Sequence, residues 1–198
     1  TRVAKKLGAF DGHPMIEHFK FLAAHTRETP KMTIPSPSAL HFRDGRDAVP
    51  ASVYPNMDDF YRDLGETYRK TVNAFAAAGC RYLQLDEVNF TYLCDPKLIQ
   101  QVRDRGEDPA ALPMAYAGMI NAAISNIPAD MAITMHLCRG NFRSTFIASG
   151  GYEPVAELLF NTINVHGYFM EYDSDRAGGF EPLRFVPKGK QVVLGLVT

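Results

Sequence analysis

Apolar residues follow two different periods that alternate along this chain. Five short stretches are rich in β-branched residues or alternate apolar with polar ones, which predicts strands. They are MTIPSP from Met32, RYLQLDEV from Arg81, AITMHLC from Ala132, YFMEYD from Tyr168 and QVVLGLVT from Gln191. Segments with apolar residues at helical spacing separate these stretches. Strand and helix are therefore predicted to alternate throughout.

The helical period predicts four helices, over about residues 15–24, 57–78, 113–127 and 154–163. The clearest begins after Asn56, a predicted N-cap, and ends at Gly79. Its apolar stripe consists of Phe60, Leu64, Tyr68, Val72 and Phe75. The third helix is predicted to start at Pro113, a favoured first helical position, and to end at Pro128. Its apolar side consists of Met114, Ala117, Ile120, Ile124 and Ile127.

Alternating strands and helices predict an α/β fold with parallel strands, either an open doubly wound sheet or a closed (β/α)8 barrel. No glycine-rich fingerprint opens a helix after a strand, which weighs against the dinucleotide-binding open sheet. Chemically capable residues stand near the carboxyl ends of successive strands: Ser36, Asp86, Glu87, His136, Cys138, Glu171 and Asp173. In a barrel these ends meet at one mouth, so we expect a TIM barrel, with about five of its eight strands in this chain.

The ends of the sequence indicate a partial barrel. A whole barrel needs about 250 residues. The chain starts at Thr1 and stops at Thr198, directly after an apolar strand-like run. We therefore interpret residues 1–198 as a single domain, part of a longer protein.

The amino-acid composition limits which classes of binding partner and which cellular compartment we expect. The formal net charge is −1, from 21 basic and 22 acidic side chains, which leaves no electrostatic footprint for nucleic acid. No uninterrupted apolar run approaches the roughly 18 residues of a membrane span, and no secretory leader is recognised. Three cysteines are a poor disulfide framework, so we expect a reducing cytoplasm. Small molecules are the expected partners, and no signal indicates a particular oligomeric state.

His136 and Cys138 are two positions apart on a predicted strand, so their side chains share one face. Imidazole and thiolate are ligands that zinc prefers, and Glu171, near the end of the next strand, is the natural third candidate. The alternative is a hydrogen-bonded histidine, a packed thiol and a solvated carboxylate at the rim. The spacing allows both interpretations.

Asp86 and Glu87 close the LQLDE strand on opposite faces. One of them could be a capping or loop residue. A carboxylate at a barrel mouth could instead hold the ammonium group of an amino-acid substrate through charge-assisted hydrogen bonds. The sequence does not separate the roles of the two.

LQLDE, followed about fifty residues later by MHLCRGNF and then by YFMEYD, resembles the catalytic C-terminal barrel of cobalamin-independent methionine synthases. The resemblance is stronger to their shorter, single-barrel bacterial homologues and spans about Met32 to Thr198. It implies a barrel of the uroporphyrinogen-decarboxylase and methionine-synthase type. It also implies a zinc ion (Zn2+) bound by His136, Cys138 and Glu171, with a second cysteine expected beyond Thr198.

The resemblance further implies that Asp86 receives the amino group of homocysteine. It places Ser36-Pro37 where the family has a Gly-Pro turn near the folate. The predicted substrate-binding residues are therefore Asp86, Glu87 and Ser36, and no catalytic acid is identified.

The implied reaction is that of a 5-methyltetrahydropteroyltriglutamate–homocysteine S-methyltransferase, which moves a methyl group from methyltetrahydrofolate to homocysteine. Three alternatives remain. The separation of Cys138 from Glu171 is longer than in the large plant and enteric enzymes, which allows another thiol acceptor such as coenzyme M. The barrel could also be a metal-free enzyme similar to uroporphyrinogen decarboxylase, or a zinc-binding fragment without activity.

Overall fold

Five parallel strands lie side by side in chain order. The computed structural model describes residues 2–8, 10 and 12–197. Within that part of the chain the sheet has the order β1-β2-β3-β4-β5. The strands are β1 Lys31–Pro35, β2 Tyr82–Glu87, β3 Ala132–Leu137, β4 Gly167–Glu171 and β5 Gln191–Gly195. This sequential order is that of neighbouring strands in a (β/α)8 barrel, whereas the order reverses in a doubly wound sheet. The predicted partial barrel with five strands is confirmed.

Helices fill the connections between the strands. They are α1 Met15–Ala24, α2 Met57–Ala77, α3 Asn89–Tyr92, α4 Pro96–Asp104, α5 Leu112–Ala123 and α6 Glu153–Thr162, with short 3-10 helices at Pro37–Leu40, Gly45–Ala48, Asp175–Ala177 and Glu181–Phe185. The predicted cap of α2 is confirmed, because the Asn56 side chain accepts a hydrogen bond from the Asp58 amide. No helix in the described ranges has both the length and the apolar character needed to cross a membrane.

Several predicted boundaries are wrong. Helix α5 ends at Ala123 rather than near Ile127, and Asn126 adopts a positive φ of 61° that ends any helical continuation. Met114, predicted on the apolar side, is 56% exposed. Strand β5 stops at Gly195, while the predicted strand ran to Thr198, which lies outside the described residues, as does Thr1. Propensity alone overestimated these elements because tertiary packing, not periodicity, decides where each one ends.

Two helices between β2 and β3 were missed. Helix α3 is a single turn, too short to show a period. Helix α4 starts at Pro96 after the Asp95 cap, and its apolar residues Leu98, Ile99 and Val102 span little more than one turn, too short a stretch to show a clear period. Both lie beside the carboxyl end of the sheet, where they shape the loops around the residues with potential chemistry.

The two faces of the sheet differ in how far the helices cover them. One, the covered face, packs against the helices in a single core, and its buried strand residues are Met32, Ile34, Leu83, Leu85, Ile133, Met135, Leu137, Tyr168 and Met170. The other, the open face, carries side chains from the alternate positions that are half-buried or exposed: Thr33, Tyr82, Gln84, Asp86, His136, Phe169 and Glu171. The strand period of two therefore sorts apolar residues to the covered face and most polar ones to the open face.

Candidate metal centre

Three potential metal ligands meet at the carboxyl end of the open face. His136 lies on β3, Cys138 directly follows β3, and Glu171 ends β4. One ligand atom from each lies within 4.8 Å of the other two, the one such group found among the described residues. The parallel register pairs His136 with Phe169, which places Glu171 level with Cys138 on the neighbouring strand.

His136 stands between two carboxylates. Its Nε2 lies 3.4 Å from Glu171 Oε1, and its Nδ1 lies 3.6 Å from Asp86 Oδ1. Hydrogen bonding to Asp86 first, and then to Glu171, raises the pKa of His136 to about 9. The hydrogen bond with His136 in turn is the main cause that lowers the pKa of Glu171. Without an ion, a proton on the imidazole supplies the positive charge that the two carboxylates attract.

Asp86 is held by neighbours on the same face. Its carboxylate accepts hydrogen bonds from Thr33 Oγ1 at 2.6 Å and from Gln84 Nε2 at 2.8 Å. Burial alone would raise the pKa of Asp86, but the hydrogen bonds from His136, Thr33 and Gln84 outweigh it and lower that pKa to about 2. Asp86 is therefore an oriented, ionised carboxylate beside the candidate ligands.

The Cys138 thiol is half-buried and accepts a hydrogen bond from the Gly140 amide at 3.2 Å. Burial raises its pKa, and the negative charge of Glu171 adds to that shift. A cation bound at the sulfur would instead lower the pKa of Cys138, since thiols that coordinate a metal are deprotonated. Gly140 is required here, because its φ is +78° and a Cβ would lie 2.6 Å from the Tyr92 hydroxyl.

Glu171 is positioned by groups that the sequence did not reveal. Its Oε2 accepts a hydrogen bond from the Arg139 amide at 3.2 Å and lies 3.4 Å from Arg176 Nη2. Its backbone N–H donates to the Tyr152 hydroxyl at 3.1 Å. Arg139 and Tyr152 are both fully buried. Arg139 lies within the MHLCRGNF stretch, but neither its burial nor that of Tyr152 gives a periodic signal in the sequence.

Glu87 and Ser36 are separated from this cluster by the sheet itself. Both are fully buried, and Glu87 alternates with Leu83 and Leu85 of the covered face. The Ser38 hydroxyl and the Asn89 amide donate hydrogen bonds to the Glu87 carboxylate. Burial raises the pKa of Glu87, against the effect of these hydrogen bonds. The structure thus brings Asp86, but neither Glu87 nor Ser36, to the candidate ligands, and substrate binding by these residues stays a prediction.

Two cavities adjoin the cluster. One, of about 560 Å³, is lined by Cys138 and Glu171 together with the loop after β3 and residues around Arg176. The other, of about 370 Å³, lies over the open face and is lined by His136 and Glu171 with Lys31, Gln84 and Phe169. Glu171 lines both cavities, so small molecules could approach the cluster from two sides.

The donor set fits zinc. One imidazole nitrogen, one sulfur and one carboxylate oxygen are the ligand types of zinc sites with three protein ligands. Tetrahedral coordination at bond lengths of about 2.0 to 2.3 Å separates ligand atoms by about 3.5 Å, and the observed atoms already lie within 4.8 Å. His136, Cys138 and Glu171 could therefore hold such an ion with a position left for another ligand.

Two curated bacterial proteins are similar to almost the whole chain. The uncharacterized proteins YxjH and YxjG of Bacillus subtilis (strain 168) are 46% and 45% identical to the chain, each over 96% of it. The chain spans about half the length of these curated relatives, 50% in both cases. No protein-family model matches the chain.

Support for the resemblance comes from solved structures. The crystal structure of the "Putative Vitamin-B12 Independent Methionine Synthase" from Listeria monocytogenes is 41% identical, with a TM-score of 0.74 over 96% of this chain and 53% of its own. A B12-independent methionine synthase from Shewanella sp. W3-18-1, solved with selenomethionine, has a TM-score of 0.67 over 94% of this chain and 50% of its own. It is 19% identical and so supports the fold alone.

Proposed function

We propose that this chain carries the metal centre of a zinc-dependent methyltransferase that moves a methyl group from 5-methyltetrahydrofolate, or its polyglutamate, to homocysteine, forming methionine. The observation that carries the proposal is the cluster of His136, Cys138 and Glu171, whose ligand atoms lie within 4.8 Å. The similarity to the Listeria protein, whose name contains that activity, supports the same assignment.

The reaction has two chemical requirements. A methyl group must leave a tertiary amine, so a carbon–sulfur bond forms, a carbon–nitrogen bond breaks, and the departing nitrogen takes up a proton. The attacking group must be a thiolate, because a neutral thiol is a weak nucleophile. An ion held by His136, Cys138 and Glu171 would supply the positive charge that lowers the pKa of an acceptor thiol enough for deprotonation near neutral pH.

The residues of this chain would bind and orient the reactants. His136, Cys138 and Glu171 would hold the ion, and the hydrogen bond from the Arg139 amide keeps Glu171 in place. Asp86, fastened by Thr33 and Gln84, faces the same site and would bind the ammonium group of homocysteine. The two cavities that meet at Glu171 give the thiol and the methyl donor separate approaches.

The charge of Asp86 favours homocysteine over coenzyme M among the candidate thiols. Homocysteine carries an ammonium group that an ionised carboxylate attracts. Coenzyme M has a sulfonate and no ammonium group, so the same carboxylate would repel it. We therefore expect methyl transfer to homocysteine to exceed transfer to coenzyme M.

Metal analysis together with an activity assay tests the proposal. The purified full-length protein should contain about one zinc ion per chain, and His136→Ala and Cys138→Ser should each lose both the zinc and methyl transfer to homocysteine. His18→Ala is the control, because His18 is an exposed residue of α1 and should leave both unchanged. Full activity in a metal-free preparation, or zinc retained by both cluster variants, would contradict the proposal.

A further inference from the structure

The Tyr152 hydroxyl joins the carboxyl ends of β3 and β4. It accepts a hydrogen bond from the Glu171 amide at 3.1 Å and lies 3.1 Å from the Glu171 carbonyl oxygen. It also lies 3.5 Å from the carbonyl oxygen of Leu137, the residue just before Cys138. One phenol thus contacts the backbone of one candidate ligand and the residue next to another.

This contact occurs where the two strands lose regular pairing. The β3–β4 register ends at the pair Leu137 and Met170. The Cys138 amide donates instead to the Glu87 carbonyl of β2, at 2.9 Å. The Tyr172 amide donates to the Gly195 carbonyl of β5, also at 2.9 Å. After the Leu137–Met170 pair, the backbone at Cys138 is therefore held by β2, and the backbone next to Glu171 is held by β5. The Tyr152 hydroxyl contacts the backbone at both strand ends.

Arg139 holds the Tyr152 ring in this place. Its guanidinium carbon lies 4.4 Å from the ring centroid, and its Nη1 donates to the Gly150 carbonyl. Both side chains are fully buried, so neither can move without disturbing the core. The Arg139 amide also donates to Glu171 Oε2, which ties the same residue to the carboxylate itself.

We infer that Tyr152, held by Arg139, is a positioning residue that sets the separation of Cys138 from Glu171 in a metal centre. This inference depends on the zinc site of the proposed function. Tyr152 would not contact the ion itself. It would act through the backbone of Glu171. Outer residues that orient metal ligands typically contribute 10- to 100-fold to metal affinity.

The test compares two tyrosines of equal burial. Tyr152→Phe removes the hydroxyl and keeps the ring. Tyr168→Phe is the matched control, because Tyr168 is also fully buried and its hydroxyl donates to the Leu159 carbonyl at 2.8 Å, near the opposite end of β4. Each variant of the purified protein is stripped of metal and titrated with Co2+ alone, whose absorption bands report ligand type and geometry.

We expect Tyr152→Phe to weaken Co2+ binding about 10-fold and to change the positions or intensities of the absorption bands. Tyr168→Phe should bind with wild-type affinity and give the wild-type spectrum, although it loses a buried hydrogen bond of the same kind. Wild-type affinity and an unchanged spectrum in Tyr152→Phe would overturn the positioning role.

Three further outcomes are decisive. If Tyr152→Phe does not fold, Arg139→Lys takes its place, since it keeps the charge but loses the planar group over the ring; unaltered Co2+ binding by that variant would overturn the inference. A wild-type protein that takes up no Co2+ would overturn the metal centre of the proposed function and this inference with it. Metal binding that is intact in the wild type and unaffected in the variants would overturn the positioning role alone.

Discussion

The covered and open faces of the sheet come from the same five strands but are held together by different forces. On the covered face, side chains such as Leu85 and Ile133 are fully buried against the helices, so apolar burial stabilises it. On the open face, Asp86, His136 and Glu171 are half-buried and hold one another through hydrogen bonds and charge. One face therefore provides stability, which lets the other face keep polar groups available for chemistry.

Asp86 and Glu87 show the same contrast in consecutive residues. The Asp86 side chain is 40% exposed and points toward the candidate ligands. Glu87 is fully buried among serine and asparagine partners. Two adjacent carboxylates therefore have opposite environments, a chemical one and a structural one, because alternate strand positions face opposite sides.

Leu85→Ala should produce the largest effect on stability. Leu85 is fully buried in the core, so its truncation should lower the free energy of unfolding by about 3 kcal/mol, measured by urea denaturation. The matched change on the open face is Gln84→Ala, whose side chain is half-buried and bonds to Asp86. It should cost less than about 1 kcal/mol. Equal losses in the two variants would break the distinction between the faces.

Glu87→Ala and Asp86→Ala should separate stability from function. Removing the buried Glu87 carboxylate leaves Ser38 and the Asn89 amide without an acceptor, at a cost of about 2 kcal/mol of unfolding free energy. Asp86→Ala should cost less than about 1 kcal/mol, because that side chain is partly exposed.

The KM for homocysteine should change in the opposite order, with the larger effect in Asp86→Ala and little effect in Glu87→Ala. Asp86→Ala should raise the KM for homocysteine by about 10-fold or more through loss of a charge-assisted hydrogen bond. Glu87→Ala should leave KM close to the wild-type value in its folded fraction. Denaturation curves and steady-state kinetics on both variants check this, and a raised KM in Glu87→Ala alone would reverse the assignment of the two carboxylates.

An effect on stability smaller than those of Leu85→Ala and Glu87→Ala is expected at Asp95, a charged residue on the helical side of the sheet. Asp95 caps α4 by accepting a hydrogen bond from the Lys97 amide, and it also accepts one from the Ser149 amide at 2.9 Å. Burial raises the pKa of Asp95, but these hydrogen bonds outweigh it and leave that pKa below the ordinary value. A lowered carboxyl pKa stabilises the fold above the unfolded value of about 4, and the stabilisation is lost as pH falls through the folded value.

Asp95→Asn should therefore lower the free energy of unfolding by about 1 kcal/mol at pH 7, and the difference from the wild type should shrink as the pH falls below about 4. Thermal or urea unfolding at several pH values measures it. Asp130→Asn is the control, because Asp130 is 70% exposed in its ion pair with Arg81 and should change little at any pH. A pH-independent loss in Asp95→Asn would show that the charge of Asp95 is not what stabilises this region.

Much of the fold could be predicted because strands and long helices have strong periods. The stripe of α2 and its Asn56 cap gave that helix almost to the residue, and the alternation of β2 placed Asp86 and Glu87 on opposite faces. Shorter elements could not be predicted this way. The single turn α3 has no period, and the end of α5 depends on the backbone conformation at Asn126.

The candidate site was predictable in part for the same reason. His136 and Cys138 share a strand face by spacing alone, and Glu171 ends the adjacent strand, so their proximity follows from a parallel register. The roles of Arg139 and Tyr152 could not be identified, since they depend on contacts between different elements of the fold. Arg176 lies only a few residues after Glu171, but a loop has no period that would show which way its side chain points.

The sequence by itself determined which residues could carry the chemistry and which face of each strand they occupy, because side-chain alternation is a local property of the backbone. Only the tertiary structure decided that Asp86 reaches the imidazole while Glu87 is buried, and that a phenol from the start of α6 spans the ends of β3 and β4. Distances between strands and helices depend on packing across the whole core, which no local pattern encodes.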